Sequence, residues 1–553
     1  MKYKILLSLI LVLHLIFVVI SMNQPFHGDE IIWTEAANSI MKTGKPVFDY
    51  GRNNPMHMAL LHVPTNMYIL SVFIYFLGYN EISARLVCTI FNILTIFLIY
   101  FISLEIFKNN KNKRSYSILA VFLYALNPFT IQSMMLVDVD PGLLNFSLAL
   151  FLYLYIKEKK YYFLIPSLIL VFLSKEVGLV LLFPVLILSN IIPPNKKKIL
   201  ETFVLFIISI LIFLLICLIF SKITGLDIFM PLKTNFLGQK ANFFDKGEIL
   251  IHIWNFKNFF YYATPYLISL FFIFSIVFYY KVIKNINIIK RKDVHEIFLI
   301  NLFVFAIIGL YMIKGGSAWG FPKYYILAMP WISIFIAFML SKSNIIEYMK
   351  KKLYTHRFLF ILLIIFMFIY FYSYIGDPLM PEIDTSVNNT GVFLAITLIL
   401  KSFILYAIIP FAVIYLFFYF SRFNGKMYMA LLLLIFFSYA YIDILHTTVD
   451  YSTYSKYGDR GIPEVINYVK EKDLPIEKIA THMHIGHYLG LSRYYEITFS
   501  YDYPDRFKKE IIDNPEIEYL IIWNRDVIRI GDNMKYFKLE KQIGSYYIYR
   551  KII

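Results

Sequence analysis

The sequence predicts an α-helical polytopic membrane protein of about thirteen transmembrane helices, joined to a small C-terminal extracytoplasmic α/β domain. Three observations carry that prediction. Hydrophobic residues make up 59% of the 553 residues and aromatic residues 19%, with a mean hydropathy of +0.63. A water-soluble chain of this size has no interior large enough to hide so much apolar surface. Basic residues recur in short clusters between long apolar runs, and after residue 445 charge rises and spanning runs stop.

Taken from the N-terminus, residues 5–20 are almost wholly apolar and follow Lys2 and Lys4, a pattern that resembles a signal peptide but lacks a small-residue cleavage site. We read them as an uncleaved first helix with a cytoplasmic N-terminus. The basic clusters then set the topology: Lys108 to Arg114, Lys157 to Lys160, Lys196 to Lys198, Lys281 to Lys292, Lys350 to Arg357, and Arg422 with Lys426. By the positive-inside rule all face the cytoplasm. The same placement accounts for the formal net charge of +16 and removes any need for a nucleic-acid partner.

Between the clusters the chain must cross an even number of times. Residues 82–107 descend, 115–136 rise and 141–156 return; 199–221 rise and 258–280 return; 297–313 with 324–341, and 358–374 with 392–420, form hairpins; 427–445 rise last. Residues 161–190 begin and end inside, so they form two helices of ~14 residues, each ~21 Å long, meeting near Lys175. That is short of the ~30 Å hydrocarbon core, so their junction is sunk in a cavity. Residues 59–77, which contain His62 and Pro64, are read as a helix along the outer interface. The expected domains are therefore 1–445, including a first outer loop at 22–81, and 446–553. In the latter, Asp459 to Glu471 reads as a helix, and 518–523 and 545–549 as strands. Cys88 and Cys217 fall in apolar helices, which excludes a disulfide framework.

The acidic residues that carry chemistry lie on the outer face. Asp29-Glu30 stand just past the first helix, where they either serve catalysis or cap the helix that follows. Asp138 and Asp140 sit in the connection between two crossings, again as a site or as a turn. Converging carboxylates there supply a general base. The cations on this face are Arg52, Arg85, Lys175 and Lys323, a set suited to a phosphate. A lysine in the setting Leu173-Ser174-Lys175-Glu176-Val177 is costly unless paired or functional, and Glu176 is its nearest partner in sequence. His482, His484 and His487 have metal-like spacing, but read more simply as two residues on a strand face and one at the next helix. Phe48 to Gly51 imitates part of an oligosaccharyltransferase signature in the wrong region, and Asn388-Asn389-Thr390 is a weak glycosylation sequon.

An ordered set of motifs spans residues 1–340: Asp29-Glu30; Ser83-Ala84-Arg85-Leu86; Asp140-Pro141-Gly142-Leu143-Leu144; Ser174-Lys175-Glu176-Val177-Gly178; and Lys323 to Pro330. In this set the chain resembles the GT-C class of polytopic glycosyltransferases, in the branch of protein O-mannosyltransferases and lipid A aminoarabinose transferases. The resemblance implies a sugar donor on a polyprenyl (dolichyl or undecaprenyl) phosphate, a hydroxyl-bearing acceptor (protein, lipid or glycan), and reaction on the outer face of the cell membrane. It implies Asp29 as the acceptor-activating carboxylate, with Glu30 in support, and Asp140 as a second acidic residue, with Asp138 a further acidic candidate. Lys175 and Lys323 would meet the donor phosphate, alongside Arg52 and Arg85. Where the aminoarabinose transferases have Glu-Lys-Pro-Pro, this chain has Arg52-Asn53-Asn54-Pro55. No metal ligand is therefore carried over; no cofactor is fixed, and a divalent metal is left open. A transporter or flippase of a lipid-linked sugar is the alternative. It calls for inverted repeats and mid-membrane charges, whereas here no repeat is visible and the charges gather at one face. A non-catalytic assembly protein would need neither Asp29 nor Asp140.

Overall fold

A computed structural model describes residues 2–20, 22–26, 29–49, 55–56, 62–134, 136–192, 194–229, 256, 259–260, 263–314, 323–342, scattered positions between 408 and 439, and 461–490, 495–497, 507–523, 527 and 530–552. Arg52, the sequon at 388–390 and nearly all of the expected crossings at 358–374, 392–420 and 427–445 lie outside the described residues.

In chain order, α1 (Lys2–Ile20) is followed by α2 (Asp29–Thr43), the paired strands β1 (Phe48–Asp49) and β2 (Pro55–Met56), α3 (Thr65–Leu77) and α4 (Glu81–Ile106). Next come α5 (Lys113–Ala125), α6 (Pro128–Met134), α7 (Asn145–Ile156), α8 (Tyr161–Ser174), α9 (Val177–Ile191) and α10 (Lys196–Thr224). Then follow α11 (Pro265–Lys284), α12 (Lys292–Lys314) and α13 (Met329–Ser341), the last entered through a 3-10 turn at Lys323–Ala328. Among the described residues, six helical segments are long and apolar enough to cross a bilayer, and a seventh if α5 and α6 count as one bent span. Four shorter apolar helices accompany them.

These residues divide into two units. One holds Met1–Ser21 and Arg85–Thr448; the other holds Met22–Ala84 and Val449–Ile553. In this division the first outer loop groups with the C-terminal domain. The reason is a set of side-chain contacts described below.

In the first unit the sequence explains the breaks. The single helix expected over 115–136 is instead α5 and α6, bent by 59°. Pro128 has no N–H to continue the ladder, and the Asn127 side chain caps α6 by accepting from Phe129 N at 2.9 Å. The break expected near Lys175 is present: α8 ends at Ser174, and Lys175 is extended with φ −161° and ψ 138°. α10 begins where the Asn195 side chain accepts from Lys198 N and ends at Gly225, whose φ of 73° suits glycine. A buried polar chain ties four helices together. His14 Nδ1 bonds Ala125 O at 2.7 Å, and a carbonyl only accepts, so Nδ1 carries the proton. His14 Nε2 then accepts from Asn92 Nδ2 at 2.9 Å. Tyr124 donates to Asn92 Oδ1 at 2.6 Å and accepts from Asn145 at 2.9 Å. With no water in hydrocarbon to satisfy these groups, they hold α1, α4, α5 and α7 in register.

The second unit contains α14 (Ile462–Glu471), β3 (Ile479–Thr481), α15 (Met483–Tyr488), β4 (Tyr495–Glu496), β5 (Tyr519–Trp523), β6 (Phe537–Ile543) and β7 (Tyr546–Lys551). The strands form one sheet in the order β4-β3-β5-β7-β6. β3 is parallel to β4 and β5, while β7 is antiparallel to β5 and β6. Residues alternate between faces: Ile521 and Trp523 pack into one core cluster with Val465 and Ile548, and Leu520 and Ile522 into another with Phe507 and Ile511. Gly461 starts α14 at φ +92°, where a Cβ would stand 3.2 Å from Gly544 Cα. Only glycine admits both that dihedral and that approach.

The first outer loop joins this domain through α15. Phe26 N donates to Tyr488 Oη at 2.5 Å, and Tyr488 donates to Glu81 Oε1 at 2.5 Å. His487 Nδ1 lies 2.8 Å from Glu35 Oε1, and Tyr79 donates to the same carboxylate oxygen at 3.0 Å. The His487 ring also packs edge-on to Phe26 and Tyr79, 5.8 Å from each. His484 and His487 thus share a helix, which revises the expected strand placement. His482 and His484 stack on each other at 5.2 Å and against Trp523 at 4.7 and 5.0 Å.

Candidate active site

Four of the charged residues singled out in the sequence meet in the first unit as two buried ion pairs. Asp140 Oδ2 accepts from Lys175 Nζ at 2.6 Å, with side chains 0% and 7% exposed. Asp138 Oδ2 accepts from Lys323 Nζ at 2.5 Å, with side chains 5% and 9% exposed. The pairing of Lys175 is with Asp140 and not with its sequence neighbour Glu176. Tyr324 joins the two pairs: its ring lies 4.6 Å from Lys175 Nζ and 5.4 Å from Lys323 Nζ. Each such contact contributes on the order of 0.5–2 kcal/mol. Tyr311 stacks flat on Tyr324, with centroids 5.1 Å apart and planes at 9°.

Local structure puts these groups in place. The Asp138 carboxylate folds back on its own turn, with Oδ1 accepting from Val139 N at 2.6 Å. Asp140-Pro141 then opens a π-helical turn, Asp140–Leu144, that runs into α7. Proline at that position gives up an N–H that had no partner in any case, and widened turns of this kind recur at functional sites. A Cβ on Gly142 would come within 3.1 Å of Cys88 Sγ, so the turn seats closely on α4. Cys88 Sγ lies 3.3 Å from Asp138 O, across the same contact. Lys175 is presented by the α8–α9 break, and a Cβ on Gly178 would stand 2.2 Å from Val171 Cγ1. The closed corner therefore requires glycine.

One feature of the site is chemically unsatisfied. Asp140 Oδ1 is buried and has no hydrogen-bond partner among the described residues, and the same holds for the Tyr311 hydroxyl. Buried acceptors are nearly always bonded, so an open carboxylate oxygen beside a neutralised lysine calls for an explanation. Two carboxylates and two ammoniums make a cluster of zero formal charge. Arg85 is also buried, on α4 one turn before Cys88 and Thr89. Asp29 and Glu30 belong to the second unit, where they open α2, Asp29 exposed and Glu30 buried. Sequence reasoning missed Tyr324 and Tyr311. The signal for Tyr324 was its place directly after Lys323, whereas Tyr311 looks like any other aromatic residue of an apolar helix.

Residues 61–220, which include Arg85, Asp138, Asp140 and Lys175, match the dolichyl-phosphate-mannose-protein mannosyltransferase family. ArnT from Cupriavidus metallidurans in the apo state superposes with a TM-score of 0.56 at 12% identity, covering 99% of this chain and 97% of that one. The chain has the GT-C fold. ArnT bound to undecaprenyl phosphate gives a TM-score of 0.53 at 12% identity, with the same coverage. The oligosaccharyltransferase of Archaeoglobus fulgidus in complex with zinc and sulfate gives 0.51 at 12% identity, covering 98% of this chain and 72% of that one. In sequence, dolichyl-phosphooligosaccharide-protein glycotransferase 2 of Archaeoglobus fulgidus is 31% identical over 103 residues. That match spans 18% of this chain and 17% of the relative's length.

Proposed function

We propose that this GT-C chain is a membrane glycosyltransferase that moves a sugar from a polyprenyl phosphate to a hydroxyl-bearing acceptor. The observation that carries the reading is the double pair, Asp140–Lys175 and Asp138–Lys323, joined by the Tyr324 ring. The reaction breaks the bond between the sugar and the phosphate oxygen, so negative charge collects on the departing phosphate. Preorganised cations in a dry site stabilise that charge far more than they would in water. Lys175 and Lys323 fill this role by exchanging a carboxylate for the phosphate. Their partners hold them in position beforehand, which lowers the reorganisation needed when donor binds. ArnT bound to undecaprenyl phosphate, on the same fold, supports a lipid phosphate as the ligand.

Acceptor activation needs a base that takes the hydroxyl proton as the sugar is transferred. The motif order assigns this to Asp29, exposed in the first turn of α2, with Glu30 in support. Asp140 serves the donor end by holding Lys175 through Oδ2. The test is a panel of radiolabelled polyprenyl-phosphate sugars offered to the purified full chain with hydroxyl acceptors. Wild type transfers label from one donor class, and Asp29→Asn and Lys175→Met both reduce transfer by ~100-fold or more. Movement of intact lipid-linked sugar across a vesicle, with no label transferred, would instead mark a flippase and defeat the proposal.

A further inference from the structure

A cavity of about 650 Å³ lies in the first unit at the opposite ends of the helices that build the site. α7 starts just after Asp140 and ends in this cavity; α8 starts in it and ends at Lys175; α12 starts in it and runs up to Tyr311. With ~1.5 Å per residue, the two ends are ~20 Å apart or more. The cavity thus shares no residue with the site.

Its lining is unusual in two respects. Four lysines, Lys159, Lys160, Lys198 and Lys292, stand around it with three glutamates, Glu158, Glu201 and Glu296. Glu158 holds both Lys198 at 3.6 Å and Lys292 at 3.2 Å, so Lys159 and Lys160 remain the cations least engaged by carboxylates. Glu296 is only 6% exposed. Its Oε1 has no hydrogen-bond partner among the described residues, and Lys292 is at 4.0 Å. Below the charged rim the wall is apolar, formed by Ile156, Leu164, Leu205 and Leu299.

A largely buried carboxylate in the lining of a cavity, with its nearest ammonium at 4.0 Å, calls for a closer donor, preferably a cation. Lys159 and Lys160, whose ammoniums lie 6.0 Å from the Phe163 and Tyr162 rings and pair with no carboxylate among the described residues, call for an anion. An apolar wall between membrane helices calls for a hydrocarbon chain. We infer that this cavity binds a glycerophospholipid with a phosphoethanolamine headgroup, its ammonium on Glu296, its phosphate on Lys159 and Lys160, and an acyl chain along the leucines. The near balance of charge in the lining suits a zwitterion better than a purely anionic lipid.

The experiment is native mass spectrometry of the full chain from nanodiscs made with phosphatidylethanolamine, phosphatidylcholine or phosphatidylglycerol. Wild type retains phosphatidylethanolamine about tenfold over phosphatidylcholine, whose quaternary amine has no N–H to donate. The near-isosteric Glu296→Gln loses that preference. Lys159→Glu with Lys160→Glu weakens retention of all three, whereas Lys111→Glu, on a basic loop away from the lining, does not. Equal retention of the three lipids by wild type, or an unchanged preference in Glu296→Gln, would overturn the assignment. Displacement of bound lipid by millimolar free phosphoethanolamine would assign the cavity to a soluble ligand and overturn it as well. The readout is binding, so its failure is separate from any failure of the transferase reading.

Discussion

At the scale of single residues, the site depends on charges that neutralise one another. Removing one partner of a buried ion pair leaves an uncompensated charge, at a cost of ~3–5 kcal/mol, whereas replacing both with apolar residues of similar size is far milder. Asp140→Leu or Lys175→Met alone is therefore expected to lower the thermal midpoint sharply. The double variant recovers most of the loss while transfer stays abolished. If the double variant is as unstable as the singles, the Asp140–Lys175 contact at 2.6 Å is not the interaction that matters. A steric prediction concerns Gly178, whose added Cβ would fall 2.2 Å from Val171 Cγ1. Valine is stiff about χ1, so Gly178→Ala is expected to destabilise by ~1–3 kcal/mol. Val171→Ala in the same chain makes room and should restore most of it, as read by thermal unfolding in detergent.

At the scale of elements, α15 latches the first outer loop to the C-terminal domain. Burial alone would push the Glu35 carboxyl up, but the His487 ring, the Tyr79 hydroxyl and Asn38 outweigh it and hold the group below the usual carboxylate range. A lowered folded value means that the ionised form is the one the fold favours. The contribution to stability is then complete above the ordinary glutamate range and is lost as pH falls through the lowered value. The protection of α2 amides, taken relative to intrinsic exchange at each pH, is expected to fall over that acidic window in wild type. Glu35→Gln removes the pH dependence and leaves exchange faster at neutral pH. Protection that is the same at neutral and acidic pH would contradict the role of Glu35. Tyr488→Phe, which removes the hydroxyl that bridges Phe26 and Glu81, should loosen α2 at every pH.

Much of this element plan was legible in the chain itself. The two short helices flanking Lys175 follow from basic clusters on both sides of a run too long for one helix and too short for two full spans. The bend at Asn127-Pro128 was equally available, since proline marks it, yet the uninterrupted apolar content of 115–136 concealed it. What sequence could not supply was partnership. Asp140 and Lys175 are 35 residues apart, and Asp138 and Lys323 are 185 apart. No local periodicity links such positions, and the near neighbour Glu176 was the more obvious partner for Lys175. The grouping of residues 22–84 with the C-terminal domain was hidden for the same reason, because it rests on His487 and Tyr488 reaching back more than 400 positions to Glu35 and Glu81.

At the scale of the whole molecule, the proposed function puts a lipid-anchored phosphate at a cluster of zero formal charge, and it stands or falls on whether that cluster is the phosphate site. The most direct measurement is equilibrium binding of a labelled polyprenyl phosphate to the purified full chain, without acceptor. Wild type and Asp29→Asn are expected to bind alike, because acceptor activation has no part in donor binding. The paired replacements Asp140→Leu with Lys175→Met, and Asp138→Leu with Lys323→Met, which leave no unpaired buried charge, are each expected to bind ~100-fold more weakly, in keeping with the strength of charge-assisted contacts to phosphate. Undiminished binding by the paired variants, in protein shown by unfolding to be intact, would contradict the assignment of the Asp138, Asp140, Lys175 and Lys323 cluster as the donor site.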